Sequence, residues 1–139
     1  MSKLIGYTTG VFDLFHIGHL NILKNAKQYC DFLIVGVTTD EITFAMKNKY
    51  PIIPFVERIE IVNQIKYVDR AVPKLDIDNL EAWKDLEFNV FFKGDDWKGT
   101  EKGYKLEDDF GKLGVNIVYF PYTAGTSSTQ LRQVLDSII

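Results

Sequence analysis

The sequence predicts an α/β domain, a doubly wound, five-stranded parallel sheet with helices on both faces. Three observations predict it. Short apolar runs alternate with amphipathic stretches along the whole chain, which is the order of successive β-α-β units. The run Phe32-Leu33-Ile34-Val35-Gly36-Val37 is uninterruptedly apolar and rich in β-branched residues, as a strand covered on both faces must be. A chain of 139 residues fits one domain, and at that size folding buries roughly two thirds of the surface the unfolded chain exposes.

Residues 4–8 are apolar enough for the first strand, and Leu20, Ile22, Leu23 and Ala26 then recur at helical spacing over residues 20–27. The apolar run at 32–37 is the second strand, which makes a parallel β-α-β opening. A short helix over 40–46 follows, and Pro51 and Pro54 break regular structure after it. Pro54 starts a helix with Phe55, Ile59 and Val62 on one face, Val56 and Ile65 at its edges, and Glu57, Glu60 and Gln64 opposite. Residues 67–72 give a third strand, 79–86 a helix, and 89–93 a fourth strand ended by Gly94. A helix over 102–113 stops at Gly114, strand five spans 115–120, and an amphipathic helix over 129–139 closes the chain. Strands separated by helices throughout imply parallel pairing and right-handed crossovers.

A net charge of −3 and a pI near 5.3 argue against a general nucleic-acid or membrane-surface binder. Any attraction for a phosphorylated ligand must be local. The single cysteine, Cys30, excludes an internal disulfide and reads as a half-buried structural thiol, which fits a reducing cytoplasm. The first strand begins within a few residues of Met1, so no secretory leader is expected, and no apolar run approaches membrane-spanning length. No repeat, low-complexity tract or linker marks a domain boundary, so residues 1–139 are expected to form a single domain.

Thr9-Gly10-Val11-Phe12-Asp13-Leu14-Phe15-His16-Ile17-Gly18-His19-Leu20 is the stretch the fold is expected to serve. It is a strand-to-helix crossing, where free backbone N–H groups and the positive end of a helix dipole meet an anion. Both histidines of the chain lie in it, three residues apart, so on a helix start their rings share a face. Gly18 between them lets a ligand approach the backbone closely. Imidazole suits a phosphate that gains charge during reaction, since it can donate hydrogen bonds and can become cationic near neutral pH. The plainer alternative is that one ring caps the helix and the other is half buried.

Neither a P-loop nor a dinucleotide fingerprint occurs, so further phosphate contacts must come from elsewhere. Gly125-Thr126-Ser127-Ser128-Thr129 precedes the last helix, with Ser127 and Gln130 spaced as a capping box, and concentrates hydroxyls and unpaired N–H groups at one helix start. A plain N-cap needs only one of those hydroxyls. Lys47 and Lys49 lie in a proline-flanked loop that by composition alone reads as solvated. Gly94-Asp95-Asp96-Trp97 follows the fourth strand at the edge where open α/β sheets bind ligands, although adjacent acids there also cap turns. Arg58 reads as a surface or intersubunit ion pair, outside the site.

The tetrad His16-Ile17-Gly18-His19 after Gly10-Val11-Phe12-Asp13 resembles the signature of the HIGH-type nucleotidylyltransferases, and the chain length resembles the stand-alone bacterial cytidylyltransferases, those acting on glycerol 3-phosphate above all. The likeness continues through Thr39-Asp40-Glu41, Glu57-Arg58, Tyr67-Val68-Asp69, Gly94-Asp95-Asp96-Trp97 and Gly125-Thr126-Ser127-Ser128-Thr129. It implies a Rossmann-like fold and transfer of a cytidylyl group from CTP to a small phosphorylated alcohol. It further implies His16, His19 and Lys49 as catalytic groups. Nucleotide contacts would come from Thr9, Gly10, Val11, Phe12, Gly18, Gly94, Asp96, Tyr122, Thr123, Gly125, Thr126, Ser127, Ser128 and Thr129. Asp13, Lys47, Asn79, Asp95 and Trp97 would face the acceptor. Homodimerisation is implied too, and Mg²⁺ held through the nucleotide phosphates is expected from triphosphate chemistry.

Two positions depart from the resembled enzymes. Tyr122 stands where they open their second motif with arginine, and Asn79 falls where they place an acceptor-binding lysine, with Lys74 or Lys84 as substitutes in a shifted register. A lost charge-assisted hydrogen bond retunes which acceptor is preferred. Two alternatives stay open: an adenylyltransferase using ATP, and a nucleotide-binding regulatory module without turnover.

Overall fold

A computed structural model describes residues 3–121 and 127–138. Its strands are β1 (Ile5–Gly10), β2 (Phe32–Thr38), β3 (Arg70–Lys74), β4 (Val90–Gly94) and β5 (Asn116–Phe120). Its α-helices are α1 (Ile17–Lys27), α2 (Asp40–Lys47), α3 (Phe55–Asn63), α4 (Leu80–Leu86), α5 (Glu101–Gly111) and α6 (Ser128–Ile138). The five strands pair in parallel in the order β3-β2-β1-β4-β5, the Rossmann-like arrangement. The order reverses between β1 and β4, which opens a crevice at their carboxyl ends.

Pleat parity divides the core into two layers. Leu33, Val35 and Val37 of β2 and Phe92 of β4 face α1 and α3, where Leu23, Ala26 and Val62 complete one cluster. Tyr7, Ile34 and Phe91 face the other way, onto Leu106 and Phe110 of α5 and the apolar side of α4. Helices therefore cover both faces, as expected. The α3 face is as expected for Phe55, Ile59 and Val62, which pack on the core, whereas Val56, expected at its edge, is 70% exposed and Ile65 packs on the core beyond the helix end. Gly36 is required by its neighbour: a Cβ there would lie 2.4 Å from the Tyr7 hydroxyl.

Element ends differ from expectation where tertiary contacts decide them. The third strand, expected at 67–72, runs Arg70–Lys74 instead, because residues 65–68 are spent on the turn that ends α3. Pro73 is tolerated inside it because β3 is an edge strand, where alternate amides face no neighbour. The first helix starts three residues earlier than apolar spacing indicates, since His16 caps it. Lys47 is the last residue of α2 and not part of the following loop; Asn48 closes the helix in the left-handed region. Cys30 is half buried, its thiol donates to the Ala26 carbonyl at 3.4 Å, and burial pushes its pKa up.

Candidate active site

The crossing from β1 to α1 is held in a conformation few residues accept. Phe12 (φ 55°) and Leu14 (φ 50°) both lie in the left-handed region without being glycine, which costs of order 1–3 kcal/mol each. Four clamps outweigh that cost. Phe12 sinks into the core at 5% exposure. Both carboxylate oxygens of Asp13 accept backbone amides across the cleft, Oδ2 from Ile52 at 2.8 Å and Oδ1 from Ile53 at 2.9 Å. The Asp13 carbonyl accepts the Ser128 hydroxyl at 2.6 Å, which ties α6 to the crossing. Arg58 supplies the fourth clamp.

Arg58 corrects the sequence reading outright. It is 1% exposed, neither a surface pair nor an intersubunit one. Its Nη1 donates to the carbonyls of Val11 and Thr38, its Nε to the carbonyl of Ile53, and its Nη2 to the Asp40 carboxylate at 2.6 Å. A rigid guanidinium fork can satisfy four acceptors from four segments; a lysine cannot. It therefore fixes the spacing of the β1 end, the β2 end, α2 and the 51–54 segment.

The structure bears out the plainer alternative and extends it, since both rings take part in the cap. His16 is the N-cap of α1 and its Nδ1 accepts from Gly18 N at 3.0 Å, while His19 Nδ1 accepts from His16 N at 3.2 Å. The result is a capping box built from two imidazoles. With both Nδ1 atoms accepting, each neutral ring carries its proton on Nε2, which leaves an N–H donor on each ring. Ring centroids lie 4.1 Å apart, and His19 is flanked by Phe12 at 5.4 Å and Phe15 at 5.2 Å. Gly18 spends its N–H on the His16 ring.

His19 lies further from the cationic form than a free imidazole does. Burial, then the neighbouring His16 and Lys47 charges, pull its pKa down to about 4, against a smaller upward pull from Asp13. Burial also lowers that of His16. His19 therefore rests neutral at physiological pH, with an N–H donor on Nε2.

His19 stands where two cavities meet. One, of about 300 Å³, lies between the crossing, the end of α2 and the start of α6, and is lined by Asp13, Lys47, Lys49, Ser128 and Thr129 as well as Thr43 and Arg132. The other, of about 140 Å³, lies at the β1/β4 switch and is bounded by Thr9, Gly10, Phe92, Lys93, Gly94 and Phe120. Val11 and Phe12 border both. Ser127 Oγ accepts from Gln130 N at 3.1 Å, as the capping-box spacing predicts.

Other expected residues fall elsewhere. Tyr122, Thr123, Gly125 and Thr126 lie outside the described residues. Asn79 is the N-cap of α4, with a buried Oδ1 lacking a hydrogen-bond partner among the described residues, and it borders neither cavity. Asp95, Asp96 and Trp97 form a short 3₁₀ turn beyond Gly94 and border neither cavity. Sequence reasoning missed Arg132, although it stands four residues after Ser128 and so shares its helix face.

Among the described residues no group of three His, Cys, Asp or Glu side chains converges as a metal cage, and the Asp13 oxygens are engaged by amides. The donor set fits a divalent ion carried by a ligand's phosphates. No described helix is long and apolar enough to cross a membrane.

The profile of cytidylyltransferase-like proteins matches residues 7–134. Glycerol-3-phosphate cytidylyltransferase of Bacillus subtilis (strain 168) is 37% identical over 137 residues, 96% of each chain. An FAD synthase of Thermococcus kodakarensis is 31% identical, covering 94% of this chain and 88% of that one. Among solved structures, the lipopolysaccharide core biosynthesis protein of Thermoplasma volcanium superposes with a TM-score of 0.74 at 26% identity, over 90% of this chain and all of the other. By profile, by relatives along nearly its whole length and by the histidine crossing at its sheet switch, the chain belongs to the cytidylyltransferase-like family.

Proposed function

We propose that the chain transfers CMP from CTP to a small phosphorylated alcohol, giving a CDP-linked product and pyrophosphate. One observation carries the reading: His19, its Nε2–H left free by the capping box, stands between a cavity at the β1/β4 switch and a cleft bearing Lys47, Lys49, Arg132 and the hydroxyl residues Thr43, Ser128 and Thr129. A nucleoside in the first and phosphates in the second would set the α-phosphate beside that ring. Three glycerol-3-phosphate cytidylyltransferases at 32–37% identity over nearly full length support the substrate class.

A phosphate oxygen of the acceptor attacks the α-phosphorus in line, a P–O bond forms, and the bond to the β-phosphate oxygen breaks to release pyrophosphate. The acceptor is already an anionic nucleophile, so no covalent enzyme intermediate is required and the protein positions groups and stabilises charge. His16 and His19 donate from Nε2 to oxygens that gain charge. Lys49 grips the nucleotide, Lys47 orients the acceptor phosphate, and Thr129 and Arg132 hold the leaving end, while Ser128 keeps the helix start on the Asp13 carbonyl. Mg²⁺ arriving on the triphosphate would neutralise its charge. Asp13 acts by position, fastening the histidine crossing to the segment that follows the lysines. The protein is further proposed to act as a homodimer in the cytoplasm, where a lone half-buried thiol suits reducing conditions.

Comparing pyrophosphate release with CTP, ATP, UTP and GTP, and reading the product masses, tests the proposal. CTP is expected to be preferred with CDP-linked masses; preference for ATP would move the chain to adenylyl transfer, the reading favoured by its FAD synthase relatives. Nucleotide binding without pyrophosphate release across acceptors would make it a regulatory module.

A further inference from the structure

A crevice of about 230 Å³ lies on the α4 side of the edge strand β3 and shares no lining residue with the two cavities that meet at His19. Its walls follow from two periodicities. Arg70, Val72 and Lys74 alternate onto one face of β3, the face that packs toward the Tyr7 layer of the core. Glu81 and Asp85 of α4 stand one helical turn apart, with Ala82 and Leu86 beside them. The connection over residues 75–78 closes the crevice and adds Asp76 and Asp78. Four carboxylates therefore line it against two cations. Lys74 spends its ammonium on the carbonyls of Asp76 at 2.7 Å and Ile77 at 3.4 Å, and Arg70 stands at the other end of the strand, roughly 13 Å back. Among the described residues the carboxylates of Asp76 and Asp85 have neither a hydrogen bond nor an ion pair. Glu81 has only an exposed pair with Lys84, which is worth little.

The floor of the crevice holds an independent feature. Tyr7 is fully buried, its ring fixed by Phe88, stacked at 4.6 Å, and by Phe91, edge-on at 5.5 Å. Its hydroxyl reaches across the sheet to Gly36, which is the register partner of Val72 in the crevice wall. Tyr7 itself lines the crevice, and its hydroxyl finds no hydrogen-bond partner among the described residues. Burial pushes the phenol pKa up, so the group stays protonated and keeps a donor to offer. A hydroxyl taken out of water without a partner is costly, and phenylalanine would fill the same place without that cost. The unused oxygen therefore marks the place of a polar ligand atom.

We infer that this crevice is a second binding site, for a small amino alcohol: its hydroxyl pairs with the Tyr7 phenol, its short aliphatic chain lies against Val72, Ala82 and Leu86, and its ammonium meets the carboxylate rim. A hydroxyl both donates and accepts, so it serves the phenol in either sense, and an ammonium answers carboxylates that outnumber the local cations. An anion would meet that same excess of like charge. A bare metal ion does not suit the rim, since among the described residues no three acidic side chains converge as a cage. The site stands apart from the transfer reading, because none of the residues placed in that mechanism lines it.

Calorimetry on the full chain tests this with probes of one chain length: 3-amino-1-propanol, 1-aminopropane, 1,3-propanediol and 3-hydroxypropanoate. The amino alcohol is expected to bind more tightly than each of the others by about tenfold or more, the usual worth of one lost hydrogen bond or charge contact. Tyr7→Phe should erase its advantage over 1-aminopropane, and Glu81→Gln combined with Asp85→Asn should erase its advantage over 1,3-propanediol. Circular dichroism checks that both variants fold. Should Tyr7→Phe not fold, the probe series and the variant of the exposed rim decide between them. No binding of the amino alcohol at millimolar concentration, equal binding of all probes, a preference for 3-hydroxypropanoate, or affinities that the folded variants leave unmoved would each overturn the site.

Discussion

Arg58→Ala is expected to cost more than any substitution of a residue that touches substrate. The guanidinium is 1% exposed and its removal strips donors from three backbone carbonyls and from the Asp40 carboxylate. Breaking a buried pair by deleting one partner typically costs 3–5 kcal/mol, so about 4 kcal/mol is expected here. Against a domain stability of about 5–15 kcal/mol that leaves a marginal protein, and at roughly 3–4 °C per kcal/mol it lowers Tm by about 14 °C. The backbone loss should also release Val11, so turnover falls further than the unfolded fraction explains. Differential scanning calorimetry, with pyrophosphate release measured well below the variant's Tm, tests both effects. Arg58→Lys, able to serve only part of the fork, should fall between. A Tm within 3 °C of the parent for Arg58→Ala would refute the account of the residue as a four-way clamp.

Three further outcomes are expected. His16→Ala and His19→Ala should each lower kcat by about 10² to 10³, the usual cost of one preorganised donor, and retention of near-parental pyrophosphate release by both folded variants would remove the histidine role. Stability should fall on acidification, because the His19 pKa of about 4 lies below its ordinary 6.5, so the unfolded chain takes up the proton first. Its contribution is complete above pH 6.5 and is lost as pH falls toward 4. Between pH 7.5 and pH 5 that amounts to about 2 kcal/mol, read as a shift in urea midpoint that shrinks in His19→Gln. Asp13→Asn should destabilise by about 2 kcal/mol, because an amide NH₂ then opposes one of the two backbone N–H groups, and urea unfolding measures it.

How much is legible in the sequence follows the reach of the interactions. Periodicity suffices for the layers: the uninterrupted 32–37 run is the fully covered β2, and Phe55, Ile59 and Val62 of α3 match their apolar spacing. Local spacing also finds the histidine pair and the Ser127–Gln130 cap, since both are contacts within one turn. Arg58 misleads because its partners lie 5, 18, 20 and 47 residues away, and nothing in the neighbourhood of a helical arginine signals four distant acceptors. The His19 pKa escapes the sequence for the same reason, as its burial comes partly from Phe12 and its downward push partly from Lys47 across the cleft. Carrying Asn79 to the acceptor rested on alignment, while the two lysines that crowd that sheet edge, Lys74 and Lys93, are set there by strand ends no motif marks.

The tethers on either side of Lys49 limit how the two lysines can reach a ligand. The backbone before it is pinned by Asn48 closing α2, and the backbone after it by Ile52 and Ile53 on Asp13. Three residues, 49 to 51, remain between the anchors, too few for a flap that swings across the opening. On the proposed reading, any reach of Lys47 and Lys49 toward a phosphate then comes from their long aliphatic arms and not from a swing of the backbone.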